Sequence, residues 1–93
     1  MTPEQRELAR HALGFPNKKN ESYRNHFCSG RDCDHYAEWV AMVEQGYAIE
    51  LPTPKWSNPN DAFFSLTLKG ALLARDAKEH LSPEDAREMR GAQ

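Results

Sequence analysis

Residues 34–67, DHYAEWVAMVEQGYAIELPTPKWSNPNDAFFSLT, decide the fold. Within them Tyr36, Trp39, Val40 and Val43 recur at i, i+3, i+4 and i+7, the spacing of one heavy stripe along an amphipathic helix. Asp34 or Asp32 supplies its N-cap, and Gly46 the left-handed position after its last turn. Beyond Gly46, Tyr47, Ile49 and Leu51 alternate with Ala48 and Glu50, the period of a half-buried strand. Pro52, Pro54 and Pro59, interleaved with Asn58, Asn60 and Asp61, then make an extended loop that cannot join a sheet as a central strand. A returning strand follows in AFFSLT, with Phe64 and Leu66 on one face and Phe63 and Ser65 on the other.

Downstream, Thr67 is the natural N-cap of the run LKGALLARDAKEHL. Its Leu68, Leu72, Leu73, Ala77 and Leu81 are expected to cover the sheet and the preceding helix. Ser82–Asp85 restarts a short helix with its own S-x-x-D box, ending near Arg90. With only Ala86 and Met89 as apolar residues, 82–93 reads as a weakly packed helix or tail.

Upstream, Thr2, Pro3 and Gln5 form a T-x-x-Q capping box, and Leu8, Ala9, Ala12 and Leu13 give a narrow apolar face over residues 3–13. Gly14 closes that helix, and Pro16 forbids its continuation. Residues 22–28, SYRNHFC, fit either a short strand with Tyr23, Asn25 and Phe27 on one face or one or two helical turns. In both cases Tyr23 and Phe27 are the expected anchors, and the tip CSGRDCD turns around Ser29–Gly30. The chain carries no internal repeat and no low-complexity tract. It reads as a single α+β domain over 1–93: three to four helices with a two- or three-stranded antiparallel wing.

Composition narrows the function classes. Hydrophobic residues are 39% and charged residues 28%, a globular balance, and no apolar run approaches the ~20 residues of a membrane span. The start MTPEQREL has two acids and no apolar core, so no secretory leader is expected and the host cytoplasm is the expected compartment, with both cysteines reduced. Net charge is −2. Residues 16–33 set Lys18, Lys19, Arg24 and Arg31 against Glu21 and Asp32, whereas 34–62 set five acids against Lys55 alone. That is not the basic excess of a protein that lives on phosphates.

At VEQGYAIEL and AFFSLTLKGALLA the chain resembles winged-helix proteins of the MarR and PadR type over residues 34–74. Val43, Gly46, Tyr47, Phe64, Leu66, Thr67, Lys69 and Gly70 occupy the positions of those families' helix–G–strand and Y-x-L-T-x-K-G patterns. The resemblance implies a winged-helix-like fold, and DNA-binding transcriptional regulation as one function. Two departures oppose that function: the 14–33 segment replaces the helix and tight turn before a recognition helix, and the helix itself carries Glu38 and Glu44 but no Lys or Arg. The stretch YRNHFC and HYAEWVAMVEQG also resembles small phage and prophage reading frames, which implies a mobile-element context.

His26, Cys28, Cys33 and His35 are the one cluster of ligand types close in sequence. They could close a tetrahedral zinc site, but the spacing is not that of a C-x2-C knuckle. The favoured reading is a buried Cys28, an exposed Cys33 and two surface histidines, so no metal or cofactor is expected. Cys–His catalysis needs a thiolate beside a base that a third group orients, a context the local Cys/His pairs do not themselves supply, and Asp32 and Asp34 fit N-capping better than acid–base work, so no enzyme is expected. Trp56, beside Lys55 in the Pro-rich loop, is the natural interface anchor unless it folds back on Phe63 or Tyr47. Lys18, Lys19, Arg24, Arg31 and Glu38 complete the expected partner-binding set. The expected function is a non-enzymatic module that binds a host protein or nucleoprotein complex, with an anti-CRISPR-like inhibitor as its concrete form; the alternative is the DNA-binding regulator. The sequence leaves the oligomeric state open.

Overall fold

Thr2 opens the first helix as its capping box requires. The Gln5 N–H donates to Thr2 Oγ1 and the Thr2 N–H to Gln5 Oε1, both at 3.1 Å. From there the structure, a computed structural model that describes residues 1–91, runs α1 (Pro3–Leu13), β1 (Phe27–Gly30), α2 (Asp34–Glu44), β2 (Ala48–Leu51), β3 (Asp61–Leu66), α3 (Leu68–Ala74) and α4 (Pro83–Gly91). Gly14, at φ 88°, ends α1, and the N–H groups of Gly14 and Phe15 reach back to His11 O and Arg10 O. Gly46, at φ 83°, ends α2 in the same way.

Four helices and one three-stranded antiparallel sheet make a small α+β fold, with strand order β1-β3-β2. Phe27 pairs with Phe64 and Cys28 with Phe63 on one side of β3; Ala48 pairs with Leu66 and Leu51 with Phe63 on the other. Period two therefore sends Ala62, Phe64, Leu66, Ala48 and Phe27 to one face and Cys28, Phe63, Ser65, Ile49 and Leu51 to the other. The first face meets α2. Trp39 stacks on Phe64 at 5.3 Å between centroids and 15° between planes, and also packs against Phe27, the register partner of Phe64, at 5.1 Å. Trp39, Met42, Phe64, Leu13 and Leu66 are the heaviest fully buried apolar side chains, and α1 adds Ala9 and Ala12.

Several sequence expectations are corrected. The α2 stripe is led by Trp39 and Met42, with Tyr36, Val40 and Val43 half-buried, and its N-cap is Cys33 rather than an Asp; Asp32 is drawn away by the Asn60 side-chain amide. Ser29–Gly30 is strand, not turn, because β3 offers it a ladder; the turn lies at Arg31–Cys33. Tyr23 is 65% exposed, its ring lying over Gly14 at the end of α1 rather than inside the core. Asn25 does that work with Phe27: its amide donates to Leu66 O at 3.1 Å and accepts from the Leu66 N–H at 2.8 Å, extending the β1–β3 pairing by one side chain. The C-terminal helix is also better seated than its composition implied, since Met89 is 1% exposed and Asp85 accepts the Ser22 hydroxyl at 2.7 Å.

The largest departure is in α3, which stops at Ala74 rather than running to Leu81. Its buried side is the small one: Gly70, Ala71 and Ala74. A Cβ on Gly70 would lie 2.1 Å from the Tyr47 carbonyl oxygen, so the helix approaches the start of β2 at a distance only glycine allows. The leucines consequently turn outward, Leu72 47% and Leu73 48% exposed. Arg75 then goes extended (ψ 149°), and the chain folds back so that Glu79 reaches Arg10.

That pair is buried and bidentate. Arg10 donates to Glu79 Oε1 and Oε2 at 2.5 and 2.8 Å and to Ala74 O at 3.0 Å; Glu79 Oε1 also accepts the Asp76 N–H at 2.7 Å. Arg6 pairs with Asp76 beside it. The Arg10 hydrogen bond holds the Glu79 carboxyl below its ordinary value, outweighing the opposing effect of burial.

Breaking the pair by Arg10→Met or Glu79→Gln is expected to cost about 3–5 kcal/mol in urea unfolding at neutral pH, while Arg10→Met with Glu79→Leu recovers most of it. Since the folded value of Glu79 lies below the unfolded one, the pair's contribution is whole above the ordinary carboxylate value of about 4.3 and is lost as pH falls through the folded value. The stability gap between wild type and Glu79→Gln should accordingly shrink only in that acid range. Gly70→Ala is expected to lose about 3 kcal/mol despite the gain in helix propensity, read as a lowered midpoint in the same titration.

Candidate functional site

The Pro-rich loop 52–60 joins β2 to β3, and its own hydrogen bonds shape it. The Ser57 N–H reaches Pro54 O at 3.1 Å, Asn58 Oδ1 accepts the Asn60 N–H at 2.9 Å, and the Asp61 N–H reaches Asn58 O at 2.9 Å. Asp61 then accepts at both levels, Thr53 Oγ1 on its carbonyl at 3.3 Å and Ser57 Oγ on its carboxylate at 3.2 Å. The loop is also tied sideways to the β1–α2 turn: the Arg31 N–H donates to Asn60 O at 2.9 Å and Asn60 Nδ2 to Asp32 Oδ1 at 3.1 Å.

This wing presents Trp56. The indole is 82% exposed, yet its ring rests edge-on against Phe63 at 6.1 Å. The two alternatives drawn from sequence therefore coexist: Trp56 leans on Phe63 and still shows most of its surface. Phe63 and its neighbour Leu51 are half-buried on the outer sheet face, next to exposed Cys28 and above half-buried Ile49. The face is a short apolar strip with Trp56 at its wing end. The alternation of Tyr47–Leu51 was legible in sequence, but the strand's core contact is made by Ala48, 2% exposed, and Ile49 and Leu51 go to the outer side.

The other expected partner-binding residues do not gather around Trp56. Lys55 adjoins it and is exposed. Arg31 stands at the wing's base but is engaged, 3.2 Å from the Tyr36 hydroxyl and 3.6 Å from Glu50. Arg24 donates to His11 O at 3.1 and 2.6 Å and lies over the Tyr23 ring, which makes it a support for the end of α1. Lys18 and Lys19 are exposed in the 16–20 turn, where Asn17 carries the local hydrogen bonds. Glu38 lines a cleft of about 380 Å³ between α1 and α2, together with Glu4, Glu7, Leu8, Asp34 and His35. It faces α1 and not the wing.

Among the described residues no three His, Cys, Asp or Glu side chains converge as metal ligands, and the zinc cluster does not assemble. His35 packs edge-on against Phe27, which points to the inner face, whereas Cys28 points to the outer one. Both cysteines are free and exposed, so the expected burial of Cys28 is corrected; partial desolvation and the Asp61 carboxylate nevertheless push its thiol above the ordinary value.

No family model matches this chain, and no curated protein or solved structure is significantly similar to it.

The two tryptophans give a direct check, because Trp39 is fully buried and Trp56 exposed. In a Trp56→Phe variant the remaining emission is expected to be quenched by acrylamide several-fold less efficiently than wild type. Equal quenching would place Trp56 inside.

Proposed function

We propose that this domain is a non-enzymatic binding module whose wing docks on a protein partner with Trp56 as its anchor. One observation carries the reading: an indole 82% exposed, on a loop held by its own hydrogen bonds and by the Asn60–Asp32 tie. A large aromatic side chain fixed before binding loses little conformational entropy on docking, and such anchors dominate the energy of interfaces. Phe63 and Leu51 extend the anchor into a strip, and Lys55 contributes charge at its rim.

In this reading the partner is a host protein or nucleoprotein complex in the host cytoplasm, and the module is encoded by a phage or related element. Its concrete form is an inhibitor of host defence, in the manner of anti-CRISPR proteins. The support for that form is the resemblance of the 23–46 stretch to phage reading frames. A duplex reader in the winged-helix manner would need cations along its second helix, where α2 carries Asp34, Glu38 and Glu44 and no Lys or Arg.

Affinity capture from host lysate followed by titration of the recovered partner tests the anchor. Trp56→Ala is expected to weaken binding by about thirtyfold, some 2 kcal/mol, and Lys55→Ala by only a few-fold. If Trp56→Ala recovers the same partner with the same affinity, the anchor assignment fails. Tight duplex binding by the free protein in a low-salt gel shift would favour the DNA-binding regulator instead.

A further inference from the structure

A second surface lies on the outward side of α3. Because that helix buries Gly70, Ala71 and Ala74, its leucines are left without a cover, and Leu72 and Leu73 are the exposed aliphatic pair of the molecule's described surface. Leu68 and Leu72, one turn apart, join Leu81 and Ala86 as the apolar lining of a groove of about 300 Å³ between α3 and α4.

The charged side chains lining this groove carry one sign: they are Arg75 and Arg90, with His80 beside them. No acid lines the groove, and four acids of the surrounding elements are engaged elsewhere. Glu79 is buried against Arg10, Asp76 pairs with Arg6, and Asp85 takes the Ser22 hydroxyl. Glu88 lines a different hollow with Ile49, Leu51 and Met89. Glu21 approaches one end, 3.3 Å from His80 Nε2, and Glu84 is exposed in the first turn of α4. Arg75 is held in place by donating to Glu79 O at 2.9 Å, a carbonyl that orients the guanidinium without neutralising it. Arg90, in the last turn of α4, is exposed. The groove is thus an apolar floor with a cation on each wall.

We propose that the α3–α4 groove receives the apolar face of an acidic amphipathic helix from a partner protein. Leucines one turn apart on a short helix offer the floor on which i, i+3/i+4 side chains of an incoming helix seat, and Arg75 and Arg90 flank it where carboxylates on the same helix would fall. The site rests on α3 and α4, not on the wing, so it stands or falls apart from Trp56.

Two labelled helical peptides about four turns long test it, each with leucines at i, i+3, i+4 and i+7. One carries Glu and the other Lys at the remaining positions, and anisotropy is measured with the full chain. The Glu peptide is expected to bind at least about tenfold more tightly than the Lys peptide. Leu72→Glu should weaken it about tenfold or more, Arg90→Glu about fivefold with loss of the preference for Glu over Lys, and Trp56→Ala should change nothing. Circular dichroism melts of each variant serve as the folding control, since Leu72 and Arg90 are surface side chains. No binding, equal binding of both peptides, or Glu-peptide binding untouched by both groove substitutions would overturn the proposal. So would a dimer seen in sedimentation that Leu72→Glu dissolves, which would assign the groove to a second copy of this chain.

Discussion

The architecture depends on a guanidinium and a carboxylate that have almost no water. Arg10 is 8% exposed and Glu79 2%, and each must be compensated by the protein alone. The compensation is nearly complete: two charge-assisted bonds between them, the Ala74 carbonyl for Arg10, the Asp76 N–H for Glu79, and the face of Phe15 5.4 Å from the guanidinium carbon. Such a pair gives geometric specificity more readily than net stability. Here it fixes where the 75–82 link must pass, and that path stops α3 at two turns. The backbone of the link is then pinned against the 20–22 segment, where the His80 N–H reaches Asn20 O and the Ser22 N–H reaches His80 O.

Its consequence appears on the surface. A longer α3 lying flat on the sheet would have buried its leucines. The short α3, pressed by its glycine onto Tyr47 O, shows them instead. The wing has an analogous logic with different chemistry. Its prolines and asparagines keep the loop out of the sheet, and hydrogen bonds to Asp61 and Asp32 keep it from moving away, so Trp56 stands out without being loose. Both surfaces arise from constraints inside the domain and not from an excess of hydrophobic residues.

Much of this was legible in the chain. The capping box at Thr2–Gln5, Gly14 and Gly46 as helix ends, the strand–loop–strand after Tyr47, and the Thr67 N-cap each follow from local rules and appear within a residue or so of where those rules place them. What escaped was set by partners distant in sequence. Arg10 and Glu79 look like ordinary surface charges until the fold joins them. Asn25 could be placed in a short strand or a helical turn, but its bonds to Leu66 depend on the free end of β3. Leucine periodicity from 68 to 81 points to a long inward face, and the close approach of Gly70 to Tyr47 O, together with the stop at Ala74, reverses it. For the candidate sites, Trp56 was identifiable because a tryptophan among prolines and asparagines has few places to hide. The α3–α4 groove was not, because it consists of residues that periodicity assigns to the core.

The strand order carries one more consequence, for the time at which this chain can fold. β1 and β2 both pair with β3 and not with each other, and β3 is the last of the three to be synthesised. As the chain leaves the ribosome, β1 must wait for more than thirty residues, with Phe27 unpaired, until Phe64 arrives. Arg10 waits longer still, with Glu79 69 positions away. Loop closures of that span precede the contacts that reward them, so α1 can form early but the domain cannot. A nascent or truncated chain lacking the final third is therefore a set of unpaired elements rather than a smaller version of the protein.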